Sequence, residues 1–197
     1  MPARVKKNSK PEKNQNGSFR IIGGTHRSRR ISFPAVEGLR PTTDRVRETV
    51  FNWLQHDIPG ARVLDLFAGS GALGFESASR GASEVTFVEL NPLAQRALQE
   101  NASVLNVAAN IVRTDALAFL DAPLSTPFDI IFIDPPFRKD LVQQVVGCLT
   151  SRGFVKPGSL IYLETEAELS LLAIPENWTE LKSKKAGQVS YRLFEAS

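Results

Sequence analysis

The stretch RVLDLFAGSGALGFESASRG, residues 62–81, decides the fold that we expect for this chain. The apolar run RVLDLF predicts a strand, and the helical stretch ALGFESASR that follows is closed by Gly81. Between them, Gly69, Gly71 and Gly74 are spaced as G-x-G-x-x-G. In that pattern the glycines let the backbone approach a ligand closely, and the N-terminus of the helix attracts anions. A strand, a glycine turn and a helix in this order predict the first unit of a nucleoside-binding α/β sheet.

Strands and helices keep alternating after this unit. The sequence predicts strands at residues 84–90, 109–114, 128–134 and 159–165, and helices at residues 92–105, 115–120 and 138–150. Repeated β-α units predict a parallel sheet with helices on both faces, and right-handed crossovers fix the winding. The last stretch, WTELKSKKAGQVSYRLFEA, predicts a C-terminal β-hairpin that turns at residues 184–187. We therefore expect a Rossmann-like, mostly parallel, seven-stranded α/β fold.

The first 58 residues lie outside this alternation. Residues 20–33 predict a small β-hairpin whose loop is GGTHRSR. Thr42 or Thr43 is placed to cap a helix that carries apolar residues at helical spacing and ends before Pro59. We expect residues 1–17 to be a disordered basic tail, residues 18–58 to form an N-terminal extension of a hairpin and a helix, and residues 59–197 to form the main α/β domain.

Composition excludes several classes of protein. One Cys and two His among 197 residues leave no internal disulfide and no Cys/His zinc site, so we expect no metal. A membrane-spanning helix needs roughly 18 apolar residues, and neither such a run nor the apolar segment of a signal peptide is present in the sequence. These features predict a cytoplasmic protein.

Positive charge is concentrated at the N-terminus. Residues 1–48 contain 12 of the 24 Lys and Arg residues but 4 of the 21 Asp and Glu residues. A basic arm on an acidic body indicates a polyanionic partner, although a solvated tail explains the first 17 residues equally well. Interleaved isoleucines indicate that the part after Arg20 folds and fixes its arginines. Candidate phosphate contacts are Arg20, Arg27, Arg29, Arg30, Arg40 and Arg47.

Acidic residues follow three of the predicted strands. Glu89 is placed to accept both hydroxyls of a ribose, as in dinucleotide-binding folds. A nicotinamide dinucleotide would also need room for a pyrophosphate at the glycine loop, which the carboxylate of Asp65 would repel. S-adenosylmethionine has an ammonium group instead, which suits Asp65, and Asp115 is placed to accept from its adenine amine. A glycine turn that serves only strand–helix packing remains the plain structural alternative.

These motifs resemble a known family. The segments DLFAGSGALGFE, VEL, TDA and DPPF are similar to those of class I S-adenosylmethionine-dependent methyltransferases that modify exocyclic amines. The flanking segments RIIGGTHRSRRI and RPTTDRVRETVFNWL resemble the bacterial RsmD-type methyltransferases, which modify the exocyclic N2 amine of one guanine in small-subunit (16S) ribosomal RNA. The resemblance implies S-adenosyl-L-methionine as cofactor, an extension at residues 18–58 that binds RNA and closes the cofactor pocket, and a catalytic domain at residues 59–197. It also implies these cofactor-binding residues: Thr43, Arg45, Asp65, Phe67, Ala68, Gly69, Ser70, Gly71, Glu89, Leu90, Asp115 and Ala116.

The resemblance makes the tetrad Asp134, Pro135, Pro136 and Phe137 the catalytic centre. A guanine amine is a weak nucleophile because its lone pair is delocalised into the ring. The Asp134 carboxylate and the Pro135 carbonyl supply two acceptors for its N–H groups, and the prolines fix the direction of that carbonyl. Phe137 offers an aromatic face for a base drawn out of the RNA.

Other functions fit parts of the same sequence. The tetrad also suits an adenine N6-methyltransferase acting on DNA or RNA, or a glutamine methyltransferase. The glycine loop alone suits a nicotinamide-dependent oxidoreductase, and the basic arm alone suits a non-catalytic RNA-binding module. We expect ribosomal RNA as the partner, either free or within an assembled or assembling small subunit, and a monomeric protein.

Overall fold

The elements follow the predicted order in the computed structural model, which describes residues 16–36, 39, 42–123, 126–136, 139–167 and 173–197. Two short strands and a helix come first: β1 (Gly17–Arg20), β2 (Arg30–Phe33) and α1 (Asp44–Trp53). The main sheet and its helices follow: β3 (Arg62–Asp65), α2 (Ala72–Ser79), β4 (Glu84–Val88), α3 (Pro92–Leu105), β5 (Ala109–Val112), α4 (Ala116–Asp121), β6 (Ile130–Ile133), α5 (Lys139–Ser151), β7 (Leu160–Glu166), β8 (Trp178–Ala186) and β9 (Val189–Ala196).

The main sheet has seven strands in the order β5-β4-β3-β6-β7-β9-β8. The first five run parallel, and β9 is antiparallel to both β7 and β8. This confirms the mostly parallel Rossmann-like sheet and its C-terminal hairpin. Strand order reverses between β3 and β6, and such a switch point opens a crevice at the carboxyl ends of the strands, where ligands bind in open α/β sheets.

Each face of the sheet is covered by its own hydrophobic core. Helices α1, α2 and α3 cover one face together with the β1–β2 hairpin, and α4 and α5 cover the other. On the first face Phe51 of α1 packs on Phe132 of β6, with ring centroids 6.0 Å apart. Trp53 stacks on Tyr191 of β9 at 5.6 Å, and Trp178 is buried on the opposite face. Trp53 is partly buried and Trp178 is buried, so both tryptophans pack against a hydrophobic core.

The β1–β2 hairpin is fastened to the C-terminal half of α2. The fully buried carboxylate of Glu76 accepts hydrogen bonds from the backbone amides of Ile22 and Gly23, at 2.7 and 2.8 Å. Gly24 has a φ of +77°, and a Cβ there would collide with the carbonyl of Ser79. Only glycine fits this approach, which explains the second glycine of the GG pair in the predicted loop.

The structure differs from the predicted bounds in a few places. Helix α1 ends at Trp53 rather than just before Pro59, because the chain turns at Leu54, whose carbonyl accepts from the amides of Asp57 and Ile58. Thr43 rather than Thr42 caps this helix. Strand β1 already begins at Gly17, so the predicted tail is one residue too long at that end, and the rest of the tail lies mostly outside the described residues. No helix in the described ranges is long and apolar enough to cross a membrane.

Candidate active site

Five neighbouring parallel strands each carry an acidic residue at or near their carboxyl end. Asp65 is the last residue of β3, and Glu164 is the third residue from the end of β7. Glu89, Asp115 and Asp134 follow β4, β5 and β6 within three residues. In the order of the strands the acids are Asp115, Glu89, Asp65, Asp134 and Glu164. We call this set the acidic edge, and it spans the switch point between β3 and β6.

The glycine loop between β3 and α2 needs its glycines. Gly69 and Gly71 have φ values of +51° and +79°, in the left-handed region where other residues are strained. A Cβ on Gly71 would lie 2.6 Å from atoms of Leu98 and Phe75. The amide of Gly69 donates to Oε2 of Glu89 at 2.8 Å. The loop is thus tied to the acid that follows the next strand.

Glu89 and Asp115 are held by backbone amides. Oε1 of Glu89 accepts from the Asn91 amide at 2.7 Å, and Oδ1 of Asp115 accepts from the Leu117 amide at 2.8 Å, which makes Asp115 the N-cap of α4. A carboxylate has about four acceptor positions, so both acids keep capacity for ligand hydroxyls or amines. Their orientation is therefore fixed before any ligand binds.

Asp65 is the deeply buried member of the acidic edge. Its side chain is 2% exposed, and Oδ2 accepts from the Gly74 amide at 3.0 Å. The pKa of Asp65 is raised to about 7, chiefly by burial; the Gly74 hydrogen bond opposes this shift, and the negative charge of Glu89 adds to it. A buried acid of this kind is stabilised in its ionised form by a cation and destabilised by an anion.

Asp134 lies one strand away from Asp65, at the tip of β6. Its Oδ2 accepts from the Thr42 hydroxyl at 3.4 Å, which brings the segment before α1 over the carboxylate. Burial holds the pKa of Asp134 well above its usual range, and the charges of Glu164 and Asp65 add to that, while the Thr42 hydrogen bond opposes it. Pro135 is buried and Pro136 exposed; Phe137 lies outside the described residues, so its stacking role stays a prediction.

Glu164 and Tyr162 complete this part of the site and were missed by the sequence reasoning. Ile133 of β6 pairs with Leu163 of β7, so Asp134 and Glu164 are the next residues of paired strands. The Tyr162 hydroxyl donates to Oε2 of Glu164 at 2.7 Å. The signal was the alternation in SLIYLET, which puts the Tyr and the Glu on one face, but it has meaning only once β7 is known to lie beside β6.

The other cofactor-binding residues implied by the family resemblance surround the same crevice. Thr43 and Arg45 are exposed at the start of α1, and the Thr43 hydroxyl accepts from the Val46 amide at 3.5 Å. Leu90 is 64% exposed beside Glu89, as expected for a residue that a ligand would cover. Their contacts with a cofactor stay predictions. The remaining residues lie in the glycine loop or at the start of α4: Phe67, Ala68, Ser70 and Ala116.

Exposed arginines of the β1–β2 hairpin form a basic surface. Arg20, Arg27, Arg29 and Arg30 are all exposed, whereas Arg40 lies outside the described residues. An open cleft of about 350 Å³ is lined by Arg20 and Arg30 on one side and by residues 42–44 on the other. The cleft leads from these arginines to Thr42, which contacts Asp134.

The prediction that Arg47 contacts RNA is wrong. Its side chain is completely buried, donates to Oδ1 of Asp44 at 2.6 Å and to the carbonyl of Arg20 at 2.9 Å, and lies 5.0 Å from the ring centre of Phe19. The guanidinium therefore joins α1 to the hairpin. Arg47 lies three residues before Val50 and so continues the apolar stripe of the helix, a signal that the sequence analysis overlooked.

Comparisons with known proteins agree with this geometry. A family model described as conserved hypothetical protein 95 matches residues 19–195. Ribosomal RNA small subunit methyltransferase D of Escherichia coli K12 is 45% identical over 187 residues, which cover 94% of this chain and 94% of that protein. The solved structure of the putative methyltransferase yhhF of E. coli covers 92% of this chain and 99% of that chain, with a TM-score of 0.85 and 45% identity. The solved structure of the Thermus thermophilus 16S rRNA N2 methyltransferase RsmC, in complex with AdoMet and guanosine, shares the fold, with a TM-score of 0.71. It is 24% identical, and the match covers 93% of this chain and 50% of that chain.

Proposed function

The chain belongs to the family described as conserved hypothetical protein 95, and from that premise and the acidic edge we propose that it transfers a methyl group from S-adenosylmethionine to the N2 amine of a guanine in small-subunit ribosomal RNA. The observation that carries the proposal is that Asp65, a buried acid at the glycine loop, lies one strand away from a second acid, Asp134. The name of the E. coli relative and the guanosine bound to RsmC support the RNA and the base.

The residues of the crevice fit this cofactor. Asp65 is an acid whose burial raises its pKa to about 7, and a cationic ammonium group relieves that cost by direct pairing. Glu89 keeps free acceptor positions for the ribose hydroxyls. A pyrophosphate in the same place would face the carboxylate of Asp65, which argues against a nicotinamide dinucleotide.

The chain's part in the reaction is to hold and orient the amine. When bound, the cofactor supplies an electrophilic methyl group on a sulfonium. The carboxylate of Asp134 and the carbonyl of Pro135 accept the two N–H groups, so that the nitrogen becomes tetrahedral and its lone pair is freed for attack. Thr42 keeps the carboxylate in place. Positioning supplies most of the rate enhancement in such a site.

The hairpin arginines supply the contacts to the RNA backbone. Arg20 and Arg30 line the cleft that leads to the catalytic acid, so phosphates held there would flank the reacting base. We expect the protein to act as a monomer in the cytoplasm, on ribosomal RNA that is either free or within an assembled or assembling small subunit. The division into an extension at residues 18–58 and a catalytic domain at residues 59–197 stays part of this proposal.

The test combines a modification map with one variant. Nucleoside mass spectrometry of ribosomal RNA from cells without the protein should reveal one missing N2-methylguanine, whose position is then mapped. Asp134→Ala should abolish methyl transfer in vitro and leave the affinity for S-adenosylhomocysteine within a few-fold, because Asp134 contacts the base rather than the cofactor. Calorimetry should show no binding of NAD. An active Asp134→Ala protein, or one that binds NAD but not S-adenosylhomocysteine, would end the proposal.

A further inference from the structure

Glu164 is an acid of the active site to which the proposed reaction assigns no task. It lies on the strand beside Asp134, one position after the pair formed by Ile133 and Leu163. Its hydrogen bond with Tyr162 places it on the face where Phe132 and Tyr162 pack edge to face, 5.9 Å apart. That face also carries α1, and Thr42, two residues before this helix, contacts Asp134. Both acids therefore open into the same space.

One oxygen of Glu164 remains available to a ligand. Oε2 accepts from the Tyr162 hydroxyl at 2.7 Å, and within the described ranges no hydrogen bond engages Oε1. The residue opposite Glu164 on β9 is Tyr191, which is buried under Trp53 and is not a cation. A half-buried carboxylate next to another acid costs stability, so a binding role explains its presence better than a structural one.

Guanine presents three hydrogen-bond donors along its Watson–Crick edge, the two N–H bonds of N2 and the adjacent N1–H. Asp134 and the Pro135 carbonyl account for the two at N2 and leave N1–H without an acceptor. We propose that Oε1 of Glu164 accepts N1–H of the target guanine and so makes the site specific for guanine. Adenine has an unprotonated N1 at the corresponding place, whose lone pair the carboxylate would repel. This inference rests on the proposed function and names the residue that selects the base.

The neighbouring groups keep Glu164 suited to this task. Burial raises the pKa of Glu164 above its usual range, and the hydrogen bond from Tyr162 opposes that shift. The Tyr162 hydroxyl also fixes the carboxylate, because burial and the charge of Glu164 hold the pKa of this phenol well above its usual range and keep it a donor. The acceptor is therefore oriented before the base arrives.

The test pairs a substrate change with a residue change. The substrates are small-subunit RNA with guanine or 2-aminopurine at the mapped position; 2-aminopurine keeps the amine but has an unprotonated N1. The wild-type protein should prefer guanine by about 100-fold or more in kcat/KM. Glu164→Gln keeps an oxygen for Tyr162 and can donate to N1, so it should lose roughly 10- to 100-fold on guanine and much less on 2-aminopurine. The guanine preference should then fall at least about 10-fold.

A matched control lies on the same strand. Glu166→Gln, two residues further along the same face of β7, should keep the guanine preference of the wild type. Equal losses on both substrates in Glu164→Gln would mean a structural role and overturn the inference, as would a wild-type protein that methylates both bases equally well. A wild-type protein that leaves guanine unmodified would instead overturn the proposed function.

Discussion

Asp65 should make the ligand-free protein less stable as the pH rises. Its pKa is 3.8 in an unfolded chain and about 7 in the folded one, so between these values the folded state binds more protons than the unfolded state. Stability then falls as pH rises through this window and is constant above it. At pH 8 the cost is on the order of 4 kcal/mol, since each pKa unit corresponds to about 1.36 kcal/mol.

Asp65→Asn removes this titration. The amide oxygen can still accept from the Gly74 amide. The buried NH2 group has no acceptor, which lowers the stability by roughly 1–2 kcal/mol. At pH 8 the variant should therefore be about 2–3 kcal/mol more stable than the wild type. The difference between the two proteins should grow by about 3 kcal/mol from pH 5 to pH 8. The same variant should bind S-adenosylhomocysteine at least about 10-fold more weakly, because the partner of the ammonium is neutral.

Urea unfolding followed by the fluorescence of Trp53 and Trp178 measures this difference at each pH. The matched control is Asp129→Asn, at the opposite end of the sheet: burial raises the pKa of Asp129, but the amide of Arg62 and the charge of Lys156 outweigh it and lower the pKa. Its titration therefore lies below pH 5, and its stability difference should stay flat. Parallel curves for the wild type and Asp65→Asn between pH 5 and pH 8 would refute the reasoning.

Two further variants test the scaffold of the site by urea unfolding. Glu76→Gln should cost about 3 kcal/mol of stability, because the buried carboxylate also pairs with Arg80 at 2.7 Å. Glu100→Gln, in an exposed pair with Arg96, should cost under about 0.5 kcal/mol. Equal costs would contradict the view that Glu76 fastens the hairpin to α2. Gly74→Ala should cost about 1–3 kcal/mol, because its Cβ would collide with the ring of Phe87. Gly147→Ala, in α5 with open space around it, should be neutral or stabilising. The same result for Gly74→Ala would contradict the prediction and mean that the Phe87 ring moves aside without cost.

The order of the elements was predictable because apolar periodicity and glycine position are local signals. Strand β4 was predicted at residues 84–90 and spans Glu84–Val88, an error confined to its end. Asp65, Glu89 and Asp115 were singled out for the same reason, since each lies at the end of a strand or within three residues of it. Element ends were less certain because they depend on tertiary contacts, such as those that turn the chain after Trp53.

The parts of the site that depend on neighbouring strands could not be predicted in this way. Glu164 matters because β7 lies next to β6, and a single sequence read segment by segment does not show that. Arg47 was misassigned because a basic residue in a basic segment suggests solvent, while its position on the helix places it towards Phe19. Charge alone did not distinguish the surface arginines from the buried one.

The acidic edge restricts how a nucleic acid can approach the protein. Negative charge on the acidic edge repels phosphates within about 8 Å at physiological ionic strength, which disfavours a strand that lies flat across the ends of β3, β6 and β7, where Asp65, Asp134 and Glu164 lie. The arginines of the hairpin attract the same phosphates to one side. An uncharged base is then the part of the polymer that can enter, and only after rotating out of its strand. Charge thus separates the polymer into a backbone that stays outside and a single base that is admitted.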